Sequence, residues 1–104
     1  IGRWVNIAHN ATIHAKLIGD RAAIGMGAVL MLGSVVAEGV IIGNASLLRP
    51  NTVTEPYKVY VGVPARYLRD SPPDDPARQA IDEYVRSYTM LIEAYRGGLK
   101  KTSD

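Results

Sequence analysis

Hydrophobic and polar positions in the first half of this chain follow neither the 3.6-residue beat of a helix nor the strict alternation of a half-buried strand. They recur about every six residues. Cut at the recurring aliphatic, residues 1–53 read IGRWVN, IAHNAT, IHAKL, IGDRAA, IGMGAV, LMLGSV, VAEGVI, IGNASL and LRPNTV. The opening place is always aliphatic, from Ile1, Ile7 and Ile13 through to Val36, Ile42 and Leu48. The fifth place is mostly small or β-branched: Val5, Ala11, Leu17, Ala22, Ala28, Ser34, Val40, Ser46 and Thr52. Glycine often takes the second place, at Gly2, Gly19, Gly25 and Gly43, and only IHAKL is one residue short.

A fixed hexapeptide period is the signature of a parallel β-helix. The opening aliphatic points into a narrow prism and stacks on its equivalents above and below. The small fifth residue fits where the chain turns a corner, and glycine permits unusual dihedrals there. Stability is then close to a sum over neighbouring coils. The pattern resembles the left-handed form, in which three hexads make one triangular coil. The expected fold is therefore an all-β left-handed parallel β-helix of about three coils, with a C-terminal α-helix packed alongside.

The closing part follows at residues 54–75. YKVYVG alternates like a short strand, and GVPARYLR resembles the Gly-x-Pro-Ala-Lys/Arg-x-x-Arg signature that closes the coil region in hexapeptide-repeat enzymes. DSPPDDP is a linker that ends in a helix start, with Asp75 as cap and Pro76 in the first turn. Ile81, Tyr84, Val85, Tyr88, Leu91, Ile92 and Tyr95 then form a helical stripe. Gly97 and Gly98 supply the stop. A helix over 76–97 is predicted, about 30 Å long, its tyrosine-rich stripe packing on the coils or on a neighbouring chain. One structural domain with three parts results: 1–53, 54–75 and 76–97.

Composition narrows the chemistry. Apolar residues make up 47% of the 104, with one Trp, six Tyr and no Phe, so the interior is aliphatic. A formal charge of +2 is too small for a nucleic-acid binder, and Lys100 and Lys101 read as a solvated end. Without cysteine there are no disulfides or thiolate metal sites, which fits a cytoplasmic protein. AVLMLGSVVA is far shorter than the roughly 20 residues of a membrane helix, so no membrane association is expected.

Both histidines fall in IAHNATIHAKLIGD. His9 is third in its unit and His14 second in the next, so both point outward, on either side of one corner. Diverging imidazoles suit a metal shared between chains better than one held within a chain. They also fit surface histidines, or rings that bond across a contact without metal.

AHNATIHAKLIGDRAAIGMGAVL resembles the γ-class carbonic anhydrases, which carry a His-x4-His segment followed by IGD and IGMGA. The short unit IHAKL, the segment YVGVPARYLR and the terminal amphipathic helix extend the likeness over nearly the whole chain. The resemblance implies a homotrimer with zinc at each subunit interface, cobalt or iron being possible substitutes. His9 would be the ligand given across the interface and His14 one of the two from the opposite chain. The implied reaction is reversible hydration of carbon dioxide to bicarbonate by zinc-bound hydroxide. Asn6 and Asn10 flank His9 and could hydrogen-bond a ligating imidazole or the metal water. The family's third histidine ligand lies about two coils upstream, as do its trimer-stabilising Arg/Asp and a Gln near the metal, and this chain has no residues there. Either these residues are a piece of a longer chain, as the starting Ile suggests, or the metal site is incomplete.

Two other classes remain open. A hexapeptide-repeat acyltransferase would use acetyl-CoA, with one histidine as general base. A trimeric scaffold would have kept the fold and lost the chemistry. Carbonic anhydrase is the favoured enzyme class. Asp20 reads as a corner residue and Glu38 as a solvated turn, and none of Asp20, Glu38 and Glu55 pairs with another at a spacing that suggests acid/base work. Tyr57 and Tyr60 read as packing, and Trp4 as a cover for the prism end or a contact with whatever precedes it.

Overall fold

The computed structural model describes residues 1–83. Three turns of a parallel β-solenoid occupy most of them. The first coil is β1 (Asn6–Ile7), β2 (Thr12–Ile13) and β3 (Leu17–Ile18). The second is β4 (Ala23–Ile24), β5 (Val29–Leu30) and β6 (Val35–Val36). The third is β7 (Ile41–Ile42), β8 (Leu47–Leu48) and a bridge from Val53 to Val35. Strands of equal place stack in register and define three faces. Asn6, Ala23 and Ile41 align on the first, Thr12, Val29 and Leu47 on the second, and Leu17, Val35 and Val53 on the third.

The opening aliphatics fill the prism as the repeat requires. Ile18, Ile24, Leu30, Val36, Ile42 and Leu48 are all 2% exposed or less. Each such burial contributes roughly 1.5–3 kcal/mol. Ile1 and Ile7 sit in the first coil, with no coil stacked above them here, and are exposed. Trp4 beside them is 80% exposed, so among the described residues it covers nothing.

Two details of the repeat differ from the sequence reading. Left-handed backbone falls at the fourth place of each full unit, not the fifth: Trp4, Asn10, Arg21, Gly27, Gly33, Gly39, Ala45 and Asn51 all have positive φ. The short unit IHAKL has no such residue. What it lacks is the turn position, so Leu17 pairs with Val35 as a sixth-place residue and points outward, 54% exposed. The second-place glycines serve close approach instead of unusual dihedrals. A Cβ on Gly25 would lie 2.6 Å from the backbone nitrogen of Asn44 in the coil below, and one on Gly19 2.7 Å from that of Glu38.

A hairpin closes the coils. β9 (Lys58–Gly62) pairs parallel with β7, extending the first face, and β10 (Ala65–Asp70) returns antiparallel to β9. Gly62, at φ 105°, turns the chain at the start of the GVPARYLR segment. Buried Thr54 ties the exit from the third coil to the second: its hydroxyl donates to the Val35 carbonyl at 3.0 Å and accepts from the Ala37 N–H at 2.9 Å.

The chain is helical over 76–83, called α1 here. Asp75 caps it, accepting the Ala77 N–H at 3.0 Å, while its other carboxylate oxygen takes an Arg69 N–H at 2.6 Å. The Arg69 guanidinium is the main cause that holds the Asp75 carboxyl down at about 2, with the Ala77 N–H adding to it. The rest of the predicted helix lies outside the described residues, with the stripe from Tyr84 to Tyr95, the Gly97–Gly98 stop and the lysine tail. No helix among the described residues is long and apolar enough to cross a membrane.

Candidate functional site

His9 lies in the turn between β1 and β2, where the chain leaves the first face for the second. Its carbonyl accepts the Gly27 N–H at 3.0 Å. One coil on, the Ala45 N–H donates to the Met26 carbonyl at 2.7 Å, and the Asn44 side-chain oxygen accepts the Met26 N–H at 2.8 Å. His9, Met26 and Asn44 thus form one column down a single corner of the prism. All three occupy the third place of their units.

Beside this column a cavity of about 410 Å³ lies against the first face. Asn6, His9 and Asn44 give it polar groups. Ile24, Met26, Ile41 and Ile81 give it an apolar lining. The cavity is therefore largely hydrophobic with a few polar atoms, the usual composition of a small-molecule site. The Asn44 Oδ1 is engaged by the backbone, and among the described residues nothing accepts the Asn44 amide N–H groups.

Of the residues singled out in the sequence, the structure brings His9 and Asn6 to this cavity. His14 is not in its lining. It follows β2, on the far side of the second face, with its backbone N–H bonded to the Leu30 carbonyl at 2.8 Å. The two imidazoles therefore flank a whole face rather than a single corner. Asn10, at φ 62°, serves the turn. Asp20 accepts the Arg3 N–H at 2.8 Å, Glu38 accepts the Tyr57 hydroxyl at 3.1 Å, and Glu55 lies 3.7 Å from Lys58. Asp20 and Glu38 lie in turns, as expected. Burial, then the hydrogen bond to Glu38, pushes the Tyr57 hydroxyl above its ordinary range. Tyr60 accepts the Glu55 N–H at 2.9 Å and meets Tyr67 edge-on at 6.4 Å, a packing role.

Met26, Asn44 and Ile81 were not picked out by the sequence reading. The first two could have been, by stepping three units along from His9. Ile81 could not, because nothing in the repeat says which face the helix covers.

No protein-family profile matches the chain. Among curated proteins, γ carbonic anhydrase 2, mitochondrial, of Arabidopsis thaliana is 38% identical over 104 residues, covering 100% of this chain and 37% of that protein. Carnitine operon protein CaiE of Proteus sp. (strain LE138) is 28% identical, covering 94% of this chain and 49% of that protein. The chain thus spans about a third to a half of the length of these relatives. Among solved structures, a hexapeptide transferase family protein from Anaplasma phagocytophilum superposes with a TM-score of 0.72 at 23% identity, over 91% of this chain and 68% of that one. A Bacillus cereus protein provisionally described as an acetyltransferase gives a TM-score of 0.66 at 27% identity, over 84% of this chain and 54% of that one.

The chain belongs to the hexapeptide-repeat, left-handed β-helix superfamily. Within it, the chain is related to the γ-carbonic anhydrases and to CaiE-like proteins.

Two expectations are corrected. Zinc, with cobalt or iron as substitutes, does not hold as the cofactor: among the described residues no three His, Cys, Asp or Glu side chains converge on a point. His9 and His14 are separated by the second face, and the nearby carboxylates are engaged in turns. Carbonic anhydrase likewise gives way as the favoured enzyme class. The solved structure that is 27% identical to this chain is described as an acetyltransferase.

Proposed function

We propose that this chain carries the coil region of an acyl-CoA-dependent acyltransferase, with the acyl group entering the cavity beside His9. The observation that supports this best is the cavity itself. An apolar surface suited to an acyl chain ends at one imidazole and two side-chain amides.

In this reading the His9 imidazole takes a proton from an acceptor hydroxyl or amine. The acceptor oxygen or nitrogen attacks the thioester carbonyl, and a bond forms to that carbon. The carbon–sulfur bond then breaks, and the departing thiolate of coenzyme A receives the proton from the imidazolium. Atoms and charge balance, and no metal takes part. The Asn44 amide donates to the carbonyl oxygen as negative charge builds there, the kind of stabilisation that acyl transfer relies on.

The protein acts as a homotrimer in this proposal. Leu17 and Val53 project from the third face at 54% and 71% exposure, and Leu32 lies beside them at 75%. An apolar column of this kind is the usual mark of a contact surface. A second copy covers it, and threefold repetition closes the assembly.

Titration calorimetry with acetyl-CoA, together with thiol release in the presence of hydroxyl and amine acceptors, tests the reading. Binding and turnover are expected, with His9→Ala lowering turnover by about 10²- to 10⁴-fold, the range of general base catalysis. Full turnover in His9→Ala would remove His9 from the mechanism. Absence of both binding and turnover would overturn the proposal and leave a trimeric scaffold.

A further inference from the structure

Among the described residues, the cavity is walled by the prism except at Ile81, which comes from α1. The position of α1 is fixed in an unusual way. Arg78, one turn before Ile81 on the same side of the helix, is 1% exposed. Its guanidinium donates to the Arg21 carbonyl at 2.6 Å and also to the Gly39 carbonyl. It lies 5.9 Å from the centre of the Tyr57 ring. Arg21, Gly39 and Tyr57 are stacked left-handed turn residues at the corner where the third face meets the first. One buried cation therefore grips three successive levels of the prism.

Two of the guanidinium nitrogens find carbonyl acceptors, while the buried Nε has none among the described residues. A buried guanidinium is costly without acceptors, so sliding the helix would forfeit the two bonds that offset that cost. Asp75, anchored to Arg69, fixes the helix start from the other side. The consequence appears on the first face, where the outward residues Ala23 and Val59 are each only 5% exposed. On the third face, Leu17 and Val53 are instead exposed.

We infer that α1 is an acyl-length gauge: Ile81 limits the chain that fits beside His9, and Arg78 is the positioning residue that holds Ile81 in place. The inference rests on the acyltransferase reading above. Asn6 comes from β1, and His9, Met26 and Asn44 from one corner, while Ile24, Ile41 and Ile81 of the apolar lining come from β4, β7 and α1. The thioester carbonyl is placed at the former and the alkyl chain at the latter. A methylene gained or lost in such a pocket changes selection by roughly 10- to 200-fold, so a fixed isoleucine is enough to set a cut-off.

The test is a series of acetyl-, butyryl-, hexanoyl- and octanoyl-CoA, with dissociation constants from calorimetry and separate kcat and KM values. Ile81→Ala removes three carbons and is expected to raise kcat/KM for the first excluded chain by about tenfold or more. Ile81→Trp is expected to shift the cut-off to shorter chains. Arg78→Met is expected to blur the cut-off, mainly through KM, with Arg78→Lys restoring part of it. Should Arg78→Met fail to fold, the two Ile81 variants still decide. Acyl-CoA bound by every variant with one unchanged chain-length profile would overturn the gauge and leave the acyltransferase reading standing. Failure of all acyl-CoA to bind would overturn both.

Discussion

At the scale of single residues, place in the hexad decides role. The fourth place adopts left-handed backbone and the second lies against the next coil, so glycine at the two places is needed for different reasons. Gly25→Ala and Gly27→Ala separate them. At Gly25 the added carbon would meet backbone at 2.6 Å, whereas at Gly27, with φ 67°, the nearest atom is 4.0 Å away. Urea unfolding is expected to show Gly25→Ala losing about 1–3 kcal/mol by overpacking. Gly27→Ala is expected to lose about 1 kcal/mol, the cost of left-handed backbone alone. Equal losses would contradict this division. The same column logic made His9, Met26 and Asn44 legible once strands were stacked three units apart. Ile81 was not legible, because a helical stripe names the buried side of a helix without naming what it is buried against.

At the scale of elements, the start of α1 carries its own pH dependence. The Asp75 carboxyl sits at about 2 when folded against an ordinary value of 3.8, held there by Arg69 and the capped N–H. A depressed carboxyl pKa stabilises the fold above the unfolded value, and that contribution disappears as pH falls through the folded value. Thermal melts followed by circular dichroism are therefore expected to lose stability as pH falls from about 4 through about 2. Asp75→Asn keeps a capping side chain and removes the charge, so its melting temperature is expected to be lower at neutral pH and to vary less across that window. An unchanged acid limb in the variant would show that Arg69 does not hold Asp75. The hairpin β9–β10 extends the first face and leaves GVPARYLR at its turn and outer strand. Its strand character was visible in the alternation of YKVYVG; its place beside β7 was not.

At the scale of the whole molecule, stability is a sum over three coils and their closing elements. The outward column on the third face, at Leu17 and Val53, is an apolar surface that those elements leave exposed. Leu17→Asp with Val53→Asp is expected to dissociate the proposed trimer in sedimentation equilibrium while leaving the far-ultraviolet spectrum in place. A double variant that sediments as the parent would move the contact to another face.

The sequence by itself determined the solenoid, the three-unit coil, the inward aliphatics and the cap at Asp75, since each follows from local spacing and local backbone preference. Only the tertiary structure decided that the short unit lacks its turn residue, that His9 and His14 lie on opposite sides of a face, and that α1 covers the first face. Those facts depend on register between coils and on one buried arginine reaching carbonyls 57 and 39 residues away. Local periodicity carries no information about contacts at such separations.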